Sequence, residues 1–179
     1  MPVFRPIAVA LTMALLAGGC VISKEPVFGP ETRVVPFASG TRFQIFQRET
    51  AKGPWKLDDK EIVLVASADK LVREVGASGK PDDDESYTFH SLGPNRYLAQ
   101  GDFGDGRYAY GVLEVRGGEG LVAAFQCKSI DTALLQRAGV KVTADDCVLD
   151  GVPDRAGFLK QLAARPTEPL IKYVPVKKK

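Results

Sequence analysis

Between Thr41 and Cys127 the sequence repeats one pattern: short runs of β-branched and aromatic residues, separated by turns rich in Gly, Asn, Asp and Pro. Such runs are typical of β-strands, and such turns are typical of hairpins. The intervals are too short for crossover helices, so neighbouring strands should be antiparallel. We count about seven strands in this meander. They begin near Thr41, Glu61, Leu71, Tyr87, Arg96, Tyr108 and Leu121.

After the meander the apolar period changes to three or four residues, which indicates helices. Ser129 is the predicted N-cap of the first helix, and Gly139 ends it. A second helix should follow Pro153 or Asp154, and residues 170–174 suggest a last strand or extended segment. Helices that follow the strands favour an α+β domain. We therefore predict an antiparallel sheet, open or curled towards a barrel, followed by two helices.

The chain contains three cysteines and one histidine, His90. An oxidising compartment would favour pairing of Cys127 with Cys147, and the bridge would stabilise the fold by roughly 3 kcal/mol through a loop of about twenty residues. A zinc site would need histidine partners, and a redox pair would need a Cys-x-x-Cys motif. We interpret Cys127 and Cys147 as a structural disulfide near the C-terminus.

The N-terminus reads as a targeting segment. Arg5 is the only charge before an uncharged run over residues 6–19. This run has the length of the apolar core of a secretory signal peptide. It is too short for a membrane-spanning helix, which needs ~20 residues. Small residues at 17–19 precede Cys20. The sequence Leu-Ala-Gly-Gly-Cys that ends at Cys20 resembles the lipobox of bacterial lipoproteins, with Ala17 where Leu is usual.

This resemblance implies that residues 1–19 are a signal peptide and that Cys20 is the lipidation site. Its thiol would carry a diacylglyceryl group and its amine a further acyl chain such as palmitate, and several chains together hold a protein stably to a bilayer. Val21 stands where an Asp typically retains such proteins at the inner membrane. The resemblance therefore implies an outer-membrane location with the body facing the periplasm. The mature body is similar to many small uncharacterised periplasmic lipoproteins.

Residues 20–36 are interrupted by proline and glycine and carry several charges, so we expect a lipidated N-terminus followed by a solvated tether. Residues 37–179 then suit a single α+β domain. The chain has 24 Lys and Arg against 22 Asp and Glu. This balance lacks the basic excess that nucleic-acid binding would need.

We find no catalytic signature. His90 alternates with Tyr87 and Phe89 along one strand, so it should face solvent if those two face the core. No Gly-x-Ser-x-Gly or similar nucleophile frame accompanies it. We predict no enzyme activity, no catalytic residue and no cofactor.

Two acidic segments could suggest a cation site. Residues 82–85 hold four contiguous carboxylates, whereas a calcium loop alternates its ligands. Residues 101–106 combine Asp102 and Asp105 with glycines, which also suits a hairpin turn. We interpret both as solvated loops and predict no metal. Residues 177–179 are three lysines, which either contact anionic groups of the envelope or form a solvated tail.

Aromatic residues are the candidate contacts for a ligand or partner. Tyr87, Phe89, Tyr108 and Tyr110 concentrate in the middle of the meander. They either line a cavity for an apolar ligand or fill the core of a small sheet. Trp55 is either an exposed partner contact or a lid over one end of the sheet.

Three functions are compatible with these features. The first is a non-enzymatic lipoprotein of the cell envelope, anchored to the membrane at Cys20, that binds another envelope protein or the cell wall. The alternative is a small barrel-like carrier or sensor of an apolar ligand. The third is a hydrolase of unrecognised type, in which His90, Asp102 and Asp105 would be the residues to test.

Overall fold

The computed structural model describes residues 19–76, 85–144 and 146–176, with the backbone alone at residues 59 and 60. Two short 3-10 turns, Pro30–Thr32 and Cys127–Ser129, accompany the strands and helices of these residues. The strands and helices are, in chain order, β1 (Val21–Ser23), β2 (Arg33–Val34), β3 (Thr41–Gln47), β4 (Lys56–Ala66), β5 (Val72–Val75), β6 (Ser86–Gly93), β7 (Arg96–Asp102), β8 (Tyr108–Arg116), β9 (Glu119–Ala124), α1 (Thr132–Ala138), β10 (Lys141–Val142), β11 (Cys147–Val148), α2 (Arg155–Ala163) and β12 (Ile171–Pro175).

The predicted meander is present and closes into a barrel. Strands β3 to β9 follow one another as antiparallel neighbours, and they correspond to the seven strands that the sequence predicts. The last strand, β12, pairs antiparallel with both β3 and β9 and so joins the two ends of the meander. The result is a closed, eight-stranded antiparallel barrel with both helices after the meander. The predicted α+β fold class is confirmed.

The barrel interior is filled with large apolar side chains that alternate along each strand. The ring of Phe43 lies edge-on to the rings of Phe37 and Tyr173, with centroids 4.9 and 5.9 Å away. A Cβ atom at Gly101 would lie 3.1 Å from the Tyr87 ring, so a glycine at this position allows the ring to pack closely against the strand. The inner core consists chiefly of Phe43, Ile45, Ile62, Leu64, Val72, Tyr87, Phe89, Leu113, Val122, Ile171 and Tyr173.

A second apolar layer covers the outer face of β7 and β8. Both helices and the N-terminal segment pack there, and the spacing of the buried residues in α2 puts them on one face of that helix. Within the described ranges, neither helix has the length and apolarity to cross a bilayer. The outer core includes Val21, Phe28, Leu98, Tyr110, Val112, Leu134, Leu135, Leu149, Phe158, Leu159 and Leu162.

The first helix begins later than the sequence predicts. Asp131, not Ser129, is the N-cap: its carboxylate accepts two backbone N–H groups of the first turn, at 2.7 and 3.2 Å. Ile130 is extended and separates this helix from the 3-10 turn that contains Ser129. The predicted end at Gly139 is confirmed, with a left-handed φ of 74°. The second helix follows Asp154, also as predicted.

The predicted disulfide is also confirmed. Cys127 and Cys147 are bonded, their Cα atoms are 5.3 Å apart, and both residues are buried in the outer core. Cys127 follows β9 and Cys147 begins β11, so the bridge ties the end of the meander to the segment between the helices.

The segment from residue 20 to residue 36 is part of the folded body, which corrects the expected tether. β1 pairs with β8 on one side and with β11 on the other. The side-chain oxygen of Gln100 accepts the backbone N–H groups of Val27 and Phe28, at 2.9 and 3.1 Å. The prolines and glycine of this segment shape its path, while its apolar residues, such as the fully buried Val21, fill the outer core.

Candidate binding groove

Two of the aromatic residues that the sequence singles out, Tyr87 and Phe89, are packed among the apolar side chains of the inner core. Tyr87 and Phe89 are 2% and 5% exposed, and the Tyr87 hydroxyl donates to Glu85 Oε2 at 2.8 Å. Among the described residues, the cavity beside Phe89, Leu64 and Val72 measures about 10 Å³. Such a space admits about one water molecule. Tyr87 and Phe89 are therefore residues of the hydrophobic core, and the cavity beside Phe89 is too small for a ligand.

Tyr108 and Tyr110 lie on the other side of the barrel wall. Both belong to the outer core, where Tyr110 is fully buried beneath the N-terminal segment. The Tyr110 hydroxyl is hydrogen-bonded to Ser23 Oγ, and burial raises the pKa of Tyr110 to about 12. The four aromatic residues therefore do not line one cavity, because the wall separates Tyr87 and Phe89 from the other two.

His90 is buried, which corrects its expected exposure. Its Nδ1 lies 2.8 Å from Thr32 Oγ1, its Nε2 lies 3.1 Å from Thr88 Oγ1, and its ring centroid lies 4.9 Å from that of Phe28. Burial, and next the charge of Arg33, lowers the pKa of His90 to about 4. His90 does lie on the strand face opposite to Tyr87 and Phe89, but the N-terminal segment covers that face.

The acidic loop before β8 forms local turn contacts. Asp102 accepts a backbone N–H two residues later at 2.9 Å, and Asp105 forms an ion pair with Arg107 at 2.5 Å. The side-chain hydrogen bond from Arg107 lowers the pKa of Asp105. Residues 82–84 and 177–179 lie outside the described residues. No group of three metal-ligating side chains occurs within the part of the chain that the structure describes.

Trp55 lies on the outer wall of the barrel and is half-buried. The guanidinium of Arg48 is 4.5 Å from its ring centroid, and the ammonium of Lys172 is 5.4 Å away. Lys172 points outward, because its neighbours Ile171 and Tyr173 belong to the inner core. Trp55 thus lies directly before the start of β4 with two cations beside its ring, and its role as a partner contact or as a lid stays a prediction.

Two cavities of larger size adjoin each other outside the inner core. We call the first the mouth pocket: about 230 Å³ at the end of the barrel where β3 and β9 end. We call the second the side groove: about 690 Å³ between β9, the β3–β4 hairpin and the segment after α2. The side groove has the size of a typical ligand site. The residues that line both cavities are Glu49, Ala124, Gln126 and Leu170.

The floor of the side groove is apolar and its rim is charged. Buried Phe125 and Leu162 form part of the floor, and Ile130 and Leu170 extend it. The rim carries both signs of charge. Its charged residues are Glu49, Lys128, Arg165 and Glu168.

An edge of β9 opens into this groove without a strand beside it. Phe125 donates its N–H to Tyr110 O at 3.0 Å, so the N–H and C=O of Ala124 point the opposite way, towards the groove. Leu170 N–H bonds Val122 O at 2.9 Å, and in the described part of the chain the pairing of β12 with β9 ends at Ile171 and Val122, two residues before Ala124. The segment before β12 contains Pro166 and Pro169, which lack the N–H groups that a longer β12 would donate.

Cys20 lies beside these two cavities. Its N–H donates to Asp146 Oδ1 at 2.8 Å, and its carbonyl accepts the N–H of Cys147 at 2.9 Å. It forms an isolated antiparallel bridge with Gln126, which lines both cavities. Burial, and next the charge of Asp146, raises the pKa of the Cys20 thiol. The predicted lipidation site is therefore held firmly against the barrel.

No protein-family model, curated protein or solved structure matches this chain. The sequence does not predict the side groove, because its walls come from three distant parts of the chain. One signal was available: Pro166 and Pro169 precede the last strand and limit how far it can pair. That signal becomes useful only once β12 is known to lie beside β9.

Proposed function

We propose that this protein is a non-enzymatic binding protein of the bacterial cell envelope, anchored by lipid at Cys20 to the periplasmic face of the outer membrane. Its side groove holds an extended segment of a partner protein. The observation that carries this proposal is the backbone of Ala124, which lies beyond the last pair of β9 with β12 and faces an apolar groove. The lipobox resemblance of residues 16–20 supports the anchor.

An extended peptide fits this groove better than a lipid chain does. A peptide can offer a carbonyl to the Ala124 N–H and an N–H to the Ala124 C=O, and it thereby adds a strand to β9. Alternate side chains of that peptide would contact the apolar floor near Phe125 and Leu162. An acyl chain would leave both backbone groups without partners, and an unmade hydrogen bond in a binding site costs affinity.

The carrier alternative has weaker support. The inner core is filled, and the mouth pocket of about 230 Å³ is smaller than most small-molecule sites. Its lining also includes the charged residues Arg48, Glu49, Lys56 and Asp58. An apolar ligand held there would lie against several charges.

Photo-crosslinking in cells tests the groove. We expect a photoreactive residue in place of Thr167, which lines the side groove, to form a discrete adduct with one envelope protein. The same residue in place of Val142, which is 55% exposed and outside the groove lining, should form none. Mass spectrometry of the adduct should map the crosslink to an extended segment of that partner.

Two variants of Ala124 make this test specific. Ala124→Pro removes the N–H that faces the groove and leaves the hydrogen bonds to β8 in place, so the adduct should disappear while the unfolding midpoint changes little. Ala124→Gly keeps that N–H and should keep the adduct. An adduct that persists in Ala124→Pro, or equal adducts at positions 167 and 142, would contradict binding at the β9 edge.

A further inference from the structure

We propose that the end of the barrel around Cys20 lies directly against the lipid surface. We call this the mouth end: the end at which β3 and β9 end and β4 and β12 begin. This inference rests on the proposed lipid anchor and adds an orientation to it. The contacting groups are Leu57, Trp55 and the mouth-pocket rim that adjoins Cys20.

Cys20 is joined to the folded body without a free linker. The Cys20 N–H bonds Asp146, the Cys20 carbonyl bonds Cys147, and the next residue, Val21, is fully buried. A lipid on the Cys20 thiol is joined to the folded body by only a few covalent bonds. Without the solvated tether that the sequence predicted, the surface around Cys20 cannot stand away from the headgroups.

The chain that precedes Cys20 enters the folded body at the same end. The uncharged run over residues 6–19 leads into Cys20, and Gly19 O accepts the N–H of Cys127 at 3.0 Å. Whether the hydrophobic group is this run or the acyl chains that replace it, it starts at the same point of the surface. That point adjoins Gln126 on the rim of the mouth pocket.

The side chains at the mouth end suit a membrane surface. Leu57 is 52% exposed there, and the Trp55 ring lies close to the cations of Arg48 and Lys172. Exposed apolar groups beside Trp, Arg and Lys are typical of the membrane–water interface. One cation of this end is paired, since Lys56 Nζ lies 2.7 Å from Glu49 Oε1. The lipid anchor and the exposed Leu57 need no charge on the lipid, so the contact should not require anionic lipid.

Strand β4 provides a matched pair of positions for the test. Leu57 lies near its start at the mouth end, and Val65 lies near its other end with 40% exposure. Eight residues of strand separate the two by about 25 Å. Leu57→Cys and Val65→Cys each place one new thiol on the full chain, since Cys20 is acylated and the other two cysteines are bonded.

Each variant is labelled with an environment-sensitive fluorophore and reconstituted, as the lipidated full protein, into vesicles of phosphatidylethanolamine and phosphatidylglycerol that contain a lipid-attached quencher. We expect several-fold stronger quenching at position 57 than at position 65. The difference should persist when phosphatidylglycerol is omitted. A Cys20→Ser chain provides the unattached baseline.

The outcomes separate the orientation from the anchor. Equal quenching at the two positions, with an acylated protein that stays on the vesicles, would overturn the orientation alone. An intact mass without acyl groups, together with a protein that leaves the vesicles, would overturn the anchor and the orientation with it. Stronger quenching at position 57 supports both.

Discussion

Replacing Cys127 and Cys147 together by alanine should lower the free energy of unfolding by about 3 kcal/mol. The bridge spans 20 residues of sequence and joins the end of β9 to β11, so its loss frees a large loop in the unfolded chain. Both residues are also buried in the outer core. Urea unfolding of the oxidised wild type and of the double variant measures the difference.

Reduction of the wild type provides the matched control, since it opens the bridge without changing any residue. We expect the reduced wild type to lose stability by a similar amount. The variant Cys20→Ala, which leaves the bridge intact, should unfold close to the wild type. A loss below about 1 kcal/mol in the double variant would show that the bridge contributes little to the fold.

Gln100→Ala should destabilise the protein by about 2–3 kcal/mol and release the N-terminal segment from the barrel. Gln100 is 3% exposed, and its Oε1 accepts the N–H groups of both Val27 and Phe28. Its amide also donates to Phe28 O at 3.3 Å. Alanine leaves these backbone groups buried without partners. Backbone amide hydrogen exchange at Val27 and Phe28 should accelerate, and chemical denaturation gives the energy.

Gln136→Ala is the matched control, because Gln136 is exposed on α1 and its change should be close to neutral. Suppose that Gln100→Ala unfolds like the wild type and that the amides of Val27 and Phe28 exchange as slowly as in the wild type. The N-terminal segment is then held by its apolar contacts alone. That result would contradict the role given to Gln100.

Local patterns in the sequence predicted most of the barrel. The alternation of Phe43 and Ile45 with polar neighbours, and the turn residues between the strands, placed all seven strands of the meander. The connections between the strands are too short for crossover helices, and this alone predicts that neighbouring strands are antiparallel. The Cys127–Cys147 bridge followed from cysteine number and compartment. These features depend on nearby residues, and local sequence therefore suffices for them.

The predictions that were wrong concern features that depend on contacts between distant residues. The N-terminal segment looked like a tether because Pro and Gly dominate its local pattern, and its burial depends on Gln100, some seventy residues away. His90 was assigned to solvent for the same reason, since its covering residues Phe28 and Thr32 come from that segment. Ser is favoured at N-caps, so the sequence predicts Ser129 there, but Ser129 belongs to the preceding 3-10 turn and Asp131 is the cap.

The measurement that tests the central claim most directly is backbone amide hydrogen exchange at the end of β9 in the purified protein. The account predicts fast exchange at Ala124, whose N–H faces the side groove, and slow exchange at Phe125, whose N–H bonds Tyr110. Partner binding in the groove should then slow the exchange at Ala124. Slow exchange at Ala124 in the protein alone would show that this edge is already paired, and it would contradict the proposed binding site.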